Sequence, residues 1–204
     1  MTLPSPPQVP LNSLENLTSA ASKLGGKRGP APVHLWNPPY CGALDMRIAR
    51  DGTWFYNGSP IGRLPLVQLF SSILRRDGED YLLVTPVEKV GITVEDAPFL
   101  AIRMAVNDAG GENGGQSVTF TTQVEDDVTV DAEHPLRFDK APDGGLKPYV
   151  LVRDNLWALI KRALFYDLVA LGETRAIDGN AMFGIASNGC FFPMAPASAL
   201  ENLE

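Results

Sequence analysis

The sequence predicts an α+β protein built from two similar small domains, each a hairpin, a helix and a second hairpin. Three observations predict it. In the stretch 45–74, Met46, Ile48, Trp54 and Tyr56 alternate with polar or small residues, the period of a half-buried strand. From Leu64 the period changes, and Leu66, Leu69, Phe70, Ile73 and Leu74 fall on one helical face. The third observation is a weaker copy of this plan. Counted from Arg63, those apolar residues stand at offsets three, six, seven, ten and eleven, and the same offsets from Arg153 give Leu156, Leu159, Ile160, Ala163 and Leu164. Each Arg follows an apolar residue by two positions (Ile61, Leu151), and each helix follows a turn, Asp51-Gly52 or Asp143-Gly144-Gly145. Such self-similarity is the mark of an internal duplication.

Taken in order, residues 1–12 form a proline-rich flexible segment. Asn12 and Glu15 make a capping box for a short helix through Leu14, Leu17, Ala21 and Leu24, which ends at Gly25-Gly26. A Pro/Gly-rich connection over 26–42 carries Trp36 and Tyr40 as anchors and His34 as a surface or packing residue. The first domain, 13–96, then runs through the strands on either side of Asp51-Gly52. The second strand ends at the turn residues Asn57-Gly58-Ser59-Pro60. The helix from Leu64 is expected to hold Arg75-Arg76 in its last turn and to close at Gly78. The hairpin YLLVTP/VEKVGITVEDAP follows.

The second domain, 97–204, opens with strands over 99–106, 118–124 and 126–131, with a flexible glycine-rich loop between the first two. A hairpin over 134–152 leads to the longest helix, 154–171, with Asp154 as N-cap and Gly172 just past its end. A last hairpin lies near AMFGIASNGCFFPM, and the tail ends in a short turn or in disorder.

Composition narrows the function. With 204 residues the chain fills one large or two small domains. A net charge of −7 argues against broad phosphate-backbone binding, so no nucleic-acid polymer is expected as partner. It leaves room for a small anionic ligand in a local basic pocket. Cys41 and Cys190 are two distant thiols, neither a disulfide framework nor a metal motif, and they suit a reducing compartment. The N-terminus lacks the basic and apolar regions of a signal peptide, and no apolar run is as long as a membrane helix. The expectation is a soluble cytoplasmic protein with no membrane span and no cofactor. Its oligomeric state is open.

The residues that can carry chemistry are few. Glu88, Lys89, Glu95 and Asp96 gather charge in one turn-rich stretch, although solvated strand ends account for them as well. Arg47, Arg63, Arg137 and Arg153 lie among apolar residues, where a guanidinium either pairs with a carboxylate or presents its fork to an anion. Pairing is the commoner outcome, and the repeat of Arg63 at Arg153 is what brings the ligand reading forward. Trp54 and Tyr56 supply flat surface for stacking, with Tyr149, Phe165 and Tyr166 as further aromatic surface. His134, before Pro135, reads as structural. Cys41 has no identified basic partner, and no G-x-S-x-G, phosphate loop, dinucleotide fingerprint or H-E-x-x-H occurs, so no catalytic residue is assigned.

The strings CGALDMRIARDGTWFYNGSPIGR, LFSSILRRDG, YLLVTPVEKVGITVEDAPF, HPLRF, PYVLVR and YDLVALG resemble a bacterial family known as domain of unknown function 1285, over roughly 40–194. The resemblance implies two similar α+β domains, each a bent antiparallel sheet with a helix, the second superficially like a pleckstrin-homology fold. It implies no established activity, and a regulatory role in nucleotide signalling with a ligand between the domains.

Three functions compete. The first is a non-enzymatic ligand-sensing module for a small anionic molecule, a nucleotide among the candidates, bound through Arg47, Trp54, Tyr56, Arg63, Lys89, Glu95, Arg137 and Arg153. The second is a protein-interaction scaffold with a protein partner and no small ligand. The third, ranked last, is an enzyme using Glu88, Glu95 or Asp96 as base.

Overall fold

The computed structural model describes residues 18–19, 30–107, 115–141 and 144–199. The expected cap at Asn12, the flexible arm and most of the glycine-rich loop lie outside these residues. The chain divides into two compact units, Met1–Pro98 and Phe99–Glu204. Each contains a six-stranded sheet, and strands outweigh helices throughout.

The first unit runs β1 (Tyr40–Ile48), β2 (Trp54–Tyr56), β3 (Ser59–Pro60), α1 (Leu64–Ser72), β4 (Leu74–Asp77), β5 (Asp80–Val84) and β6 (Lys89–Val94). Its sheet has the order β3-β2-β1-β6-β5-β4. Every pair is antiparallel except β1 with β6. Asn57 and Gly58 both take positive φ, 46° and 73°, and make the tight turn that brings β3 back onto β2. Ser59-Pro60 therefore belongs to a strand rather than to the turn, and Pro60 is tolerated because β3 is an edge. Helix α1 ends earlier than its apolar pattern suggests. Ile73 is its C-cap, and Arg75 and Arg76 lie in β4, with Gly78 in the β4–β5 turn. Ile73 and Leu74 are both buried because helix and strand each turn a side chain into the same core. That core holds Met46, Ile48, Trp54, Phe70, Leu83 and Val90, with Trp54 stacked on Phe70 at 6.3 Å.

The second unit runs β7 (Phe99–Asn107), β8 (Ser117–Thr122), β9 (Asp127–Thr129), β10 (Leu136–Lys140), β11 (Leu146–Arg153), β12 (Leu156–Ile160), α2 (Arg162–Ala170), β13 (Glu173–Ile177), β14 (Asn180–Ser187) and β15 (Cys190–Pro196). Six strands form a sheet in the order β10-β11-β12-β7-β8-β9, with β12 and β7 parallel. The last three form a separate antiparallel meander. Ser187 joins the two sheets. Its hydroxyl accepts from the Val118 N–H at 3.0 Å and donates to the Val130 carbonyl at 2.7 Å.

The expected helix 154–171 is half strand. Leu156, Ala158 and Ile160 are buried while Trp157 and Leu159 are half-buried, a period of two. Asp154 is not an N-cap; it takes φ 46° in a two-residue turn that sets Leu156 opposite Arg153. Aspartate tolerates the left-handed region, and here that preference outweighs its capping preference. The helix begins at Arg162. Gly172 does follow its end, but its role is steric, since a Cβ there would lie 2.1 Å from the Phe183 ring.

The duplication is real in plan, and its register differs from the one the offsets give. A hairpin (β1-β2 or β11-β12), a nine-residue helix and a three-stranded meander occur in each unit. Arg63 is the N-cap of α1, and the residue in that place before α2 is Lys161 rather than Arg153. Neither N-cap side chain bonds the helix end.

Candidate functional site

The first sheet offers two faces. Gly91 and Leu82 stand opposite each other in the β5–β6 ladder and alternate with the core residues Val90 and Leu83. They therefore belong to the face away from that core. Ala43 pairs with Gly91, and Arg47 with Thr93, so β1 continues the same face. A cavity of about 500 Å³ opens there, lined by Tyr40, Tyr81, Lys89, Gly91, Asp77 and Asp80 together with apolar neighbours.

Local sequence explains its form. Gly91 has no side chain, and the Tyr40 hydroxyl lies 3.0 Å from where a Cβ would stand, so the phenol crosses the sheet at close range. Tyr40 is itself 56% exposed, with its ring available at the rim. Asp77 and Asp80 flank the two-residue turn at Gly78 and Glu79 and pair directly across the hairpin. Asp77 accepts from Arg75 at 2.7 Å and stands 3.9 Å from Lys89. Arg75 also donates to the carbonyls of Val33 and Trp36, which fixes the chain leading into β1.

Farther along the same face Arg47 lies over the Phe55 ring at 4.2 Å and pairs with Glu95. Glu95 also accepts the Arg50 N–H, at 3.1 Å. That backbone bond, then the Arg47 guanidinium, holds the Glu95 carboxyl below its ordinary range. Asp96 stands 3.5 Å from Arg50. Glu88 is the opposite case, since partial burial pushes its carboxyl up.

Two family descriptions match the chain: the N-terminal domain of "Domain of unknown function (DUF1285)" over 31–97, and the C-terminal domain of "Protein of unknown function (DUF1285)" over 98–194. A crystal structure of a DUF1285 family protein from Silicibacter pomeroyi DSS-3 is 50% identical, covering 91% of this chain and 97% of that one, with a TM-score of 0.79. The chain belongs to the DUF1285 family. A second DUF1285 structure, from Shewanella baltica OS155, is 27% identical over 62% of this chain and 91% of its own, with a TM-score of 0.48. No curated protein matches the sequence. The DUF1285 descriptions assign no activity. Among the described residues of this DUF1285 protein, no group of His, Cys, Asp and Glu is arranged to hold a metal, and no helix is long and apolar enough to cross a membrane.

Against this DUF1285 fold the predicted site residues separate. Arg47 and Lys89 share the outer face of the first sheet, and Glu95 joins them through Arg47. Trp54 does not. It is 1% exposed and stacked in the core, so it offers no face to a ligand. Tyr56 pairs with buried Met46 and is half-buried on the core side. Arg63 is exposed at the start of α1. In the second unit Arg137 pairs with Asp139 at 3.0 Å and lies 4.3 Å over Trp157 and 4.8 Å over Tyr149. Arg153 donates to Asp126 at 2.9 Å and lies 4.8 Å over Phe99. Arg47, Arg137 and Arg153 each thus carry a carboxylate partner. His134 Nδ1 lies 3.1 Å from the Leu151 carbonyl oxygen, a structural position.

Sequence reasoning missed Tyr40, Tyr81, Asp77 and Asp80. The period-two alternation of Tyr40 and Tyr81 carries no chemical mark. The signal for the two aspartates was the tight turn D-G-E-D, which the helix reading of 64–78 concealed.

Proposed function

We propose that this protein is a non-enzymatic, ligand-sensing regulatory module whose ligand presents an anionic group to Lys89 in the cavity of the first unit. The observation that carries this reading is the state of Lys89. Lys89 lines a cavity of about 500 Å³, within the range of small-molecule sites, and among the described residues its ion pair, with Asp77, is long, at 3.9 Å. Asp77, the partner, is already engaged by Arg75 at 2.7 Å. Lys89 therefore gives up little when it turns to a ligand. Tyr40 provides a ring at the rim of that face, the role first expected of Trp54 and Tyr56.

The test is a thermal-shift screen of the full chain against nucleotides, cyclic dinucleotides and anionic metabolites. A ligand that binds only the folded state raises Tm with concentration. The expected result is a shift lost in Lys89→Met and kept in Arg153→Ala. A ligand whose shift survives Lys89→Met overturns the assignment of the site.

A second reading, a protein-interaction scaffold, is favoured by β13. At the edge of its three-stranded sheet this strand is exposed on both sides along Glu173 to Ala176, and an open edge is a template for strand addition. It predicts that Thr174→Pro abolishes partner capture and leaves any thermal shift intact.

A further inference from the structure

The charges around the cavity are mixed, and their arrangement says more about the ligand than Lys89 alone. Asp77 and Asp80 stand opposite one another across the β4–β5 hairpin, where like charges oppose pairing. Both line the cavity. Arg75 and Lys89 offset Asp77. Asp80 forms no ion pair among the described residues, and the cavity wall thus holds one ammonium and a surplus carboxylate. A ligand bearing only negative charge gains at Lys89 and is repelled at Asp80. A ligand with an ammonium close to its anionic group gains at both ends. On the outer face the rest of the lining is Ala43, Leu82, Gly91 and Thr93 beside Tyr40, while Leu44, Tyr81 and Ile92 line the cavity from positions that alternate toward the core.

We infer that the ligand is a small zwitterion of the α-amino-acid class with an apolar side chain. Its carboxylate meets Lys89, its ammonium meets Asp80 and the free side of Asp77, and its side chain lies on the apolar wall beneath Tyr40. This rests on the proposed function and assigns the class of molecule bound there. A Cβ at Gly91 would stand 3.0 Å from the Tyr40 hydroxyl, so a side chain there makes the phenol shift.

The experiment compares L-leucine and L-phenylalanine with molecules that keep one charge each: 4-methylpentanoate, 3-phenylpropanoate, isoamylamine and phenethylamine. Binding to the full chain is read by calorimetry and thermal shift, in parallel with the nucleotide panel. The expected result is that at least one amino acid binds tenfold or more tightly than its single-charge relatives. Asp80→Asn is expected to remove that advantage while leaving carboxylate binding unchanged, and Lys89→Met to weaken both. Asp80 is exposed, so an unchanged Tm of ligand-free Asp80→Asn verifies its fold. Carboxylates or nucleotides binding as tightly as the amino acids, with no effect of Asp80→Asn, overturn the zwitterion and leave the sensing module standing. No binding by any probe in either panel overturns both.

Discussion

At the residue scale the molecule is held by a few polar groups with more than one duty. Glu95 joins Arg47 to the backbone of Arg50. Its carboxyl sits below its ordinary value of 4.5, so it contributes stability above that value, which is lost as pH falls through its folded pKa. Glu95→Gln is expected to lower Tm at pH 7, with the gap from the parent narrowing in melts run toward pH 3. Glu88 has the reverse sign. Burial raises its pKa above 4.5, so the folded state holds its proton more tightly and stability declines as pH rises past 4.5. Glu88→Gln is expected to raise Tm at pH 7 and to match the parent in acid. Ser187→Ala leaves the Val118 N–H and the Val130 carbonyl without their buried partner and is expected to cost about 1–3 kcal/mol in urea denaturation. None of these pairings was legible in the sequence. Glu95 and Arg47 were each singled out there, but an ion pair between residues so far apart in the chain depends on β1 and β6 lying side by side.

At the element scale the sequence was informative about strands and hairpins and misleading about where the helices begin and end. Met46, Ile48, Trp54 and Tyr56 alternate as strands do, and that same alternation places Trp54 in the core, which removes it from a ligand site. The run Leu156–Ile160 is too short for periodicity to separate helix from strand. The deciding signal was local: Asp154-Asn155 is turn chemistry, and reading Asp154 as a cap moved the helix start forward by two turns. Gly172 offers a test of this packing. Gly172→Ala drives a methyl into the Phe183 ring and is expected to cost about 1–3 kcal/mol, by analogy with overpacked cores. Phe183→Leu in the same chain is expected to recover most of that loss, measured by chemical denaturation of the single and double variants.

At the scale of the whole molecule the two units share a motif and assemble it differently. The apolar offsets revealed that a copy existed although they aligned it on the wrong arginine, because hairpin and helix recur in the same order in both units. The cavity was not legible at all. It depends on Gly91 opposite Ala43, on a phenol close over Gly91 and on a hairpin that juxtaposes two aspartates. Each unit buries large side chains of its own, among them Phe70 and Met46 in the first and Phe120 and Leu156 in the second. Separate fragments 30–98 and 98–199 are therefore each expected to melt cooperatively and to give dispersed amide NMR spectra. A fragment with a collapsed spectrum would show that its core is incomplete.

The pairing of the shared hairpin also has a direction in time. In the first unit the parallel partner of β1 is β6, the last strand of that unit; in the second the parallel partner of β12 is β7, the first. A chain leaving the ribosome from its N-terminus thus exposes β1 and β2 with one flank open until Val94 has emerged. The second sheet has all six strands by Ile160, before its helix is synthesised. One copy of the motif waits for a strand not yet translated, and the other docks onto one already released.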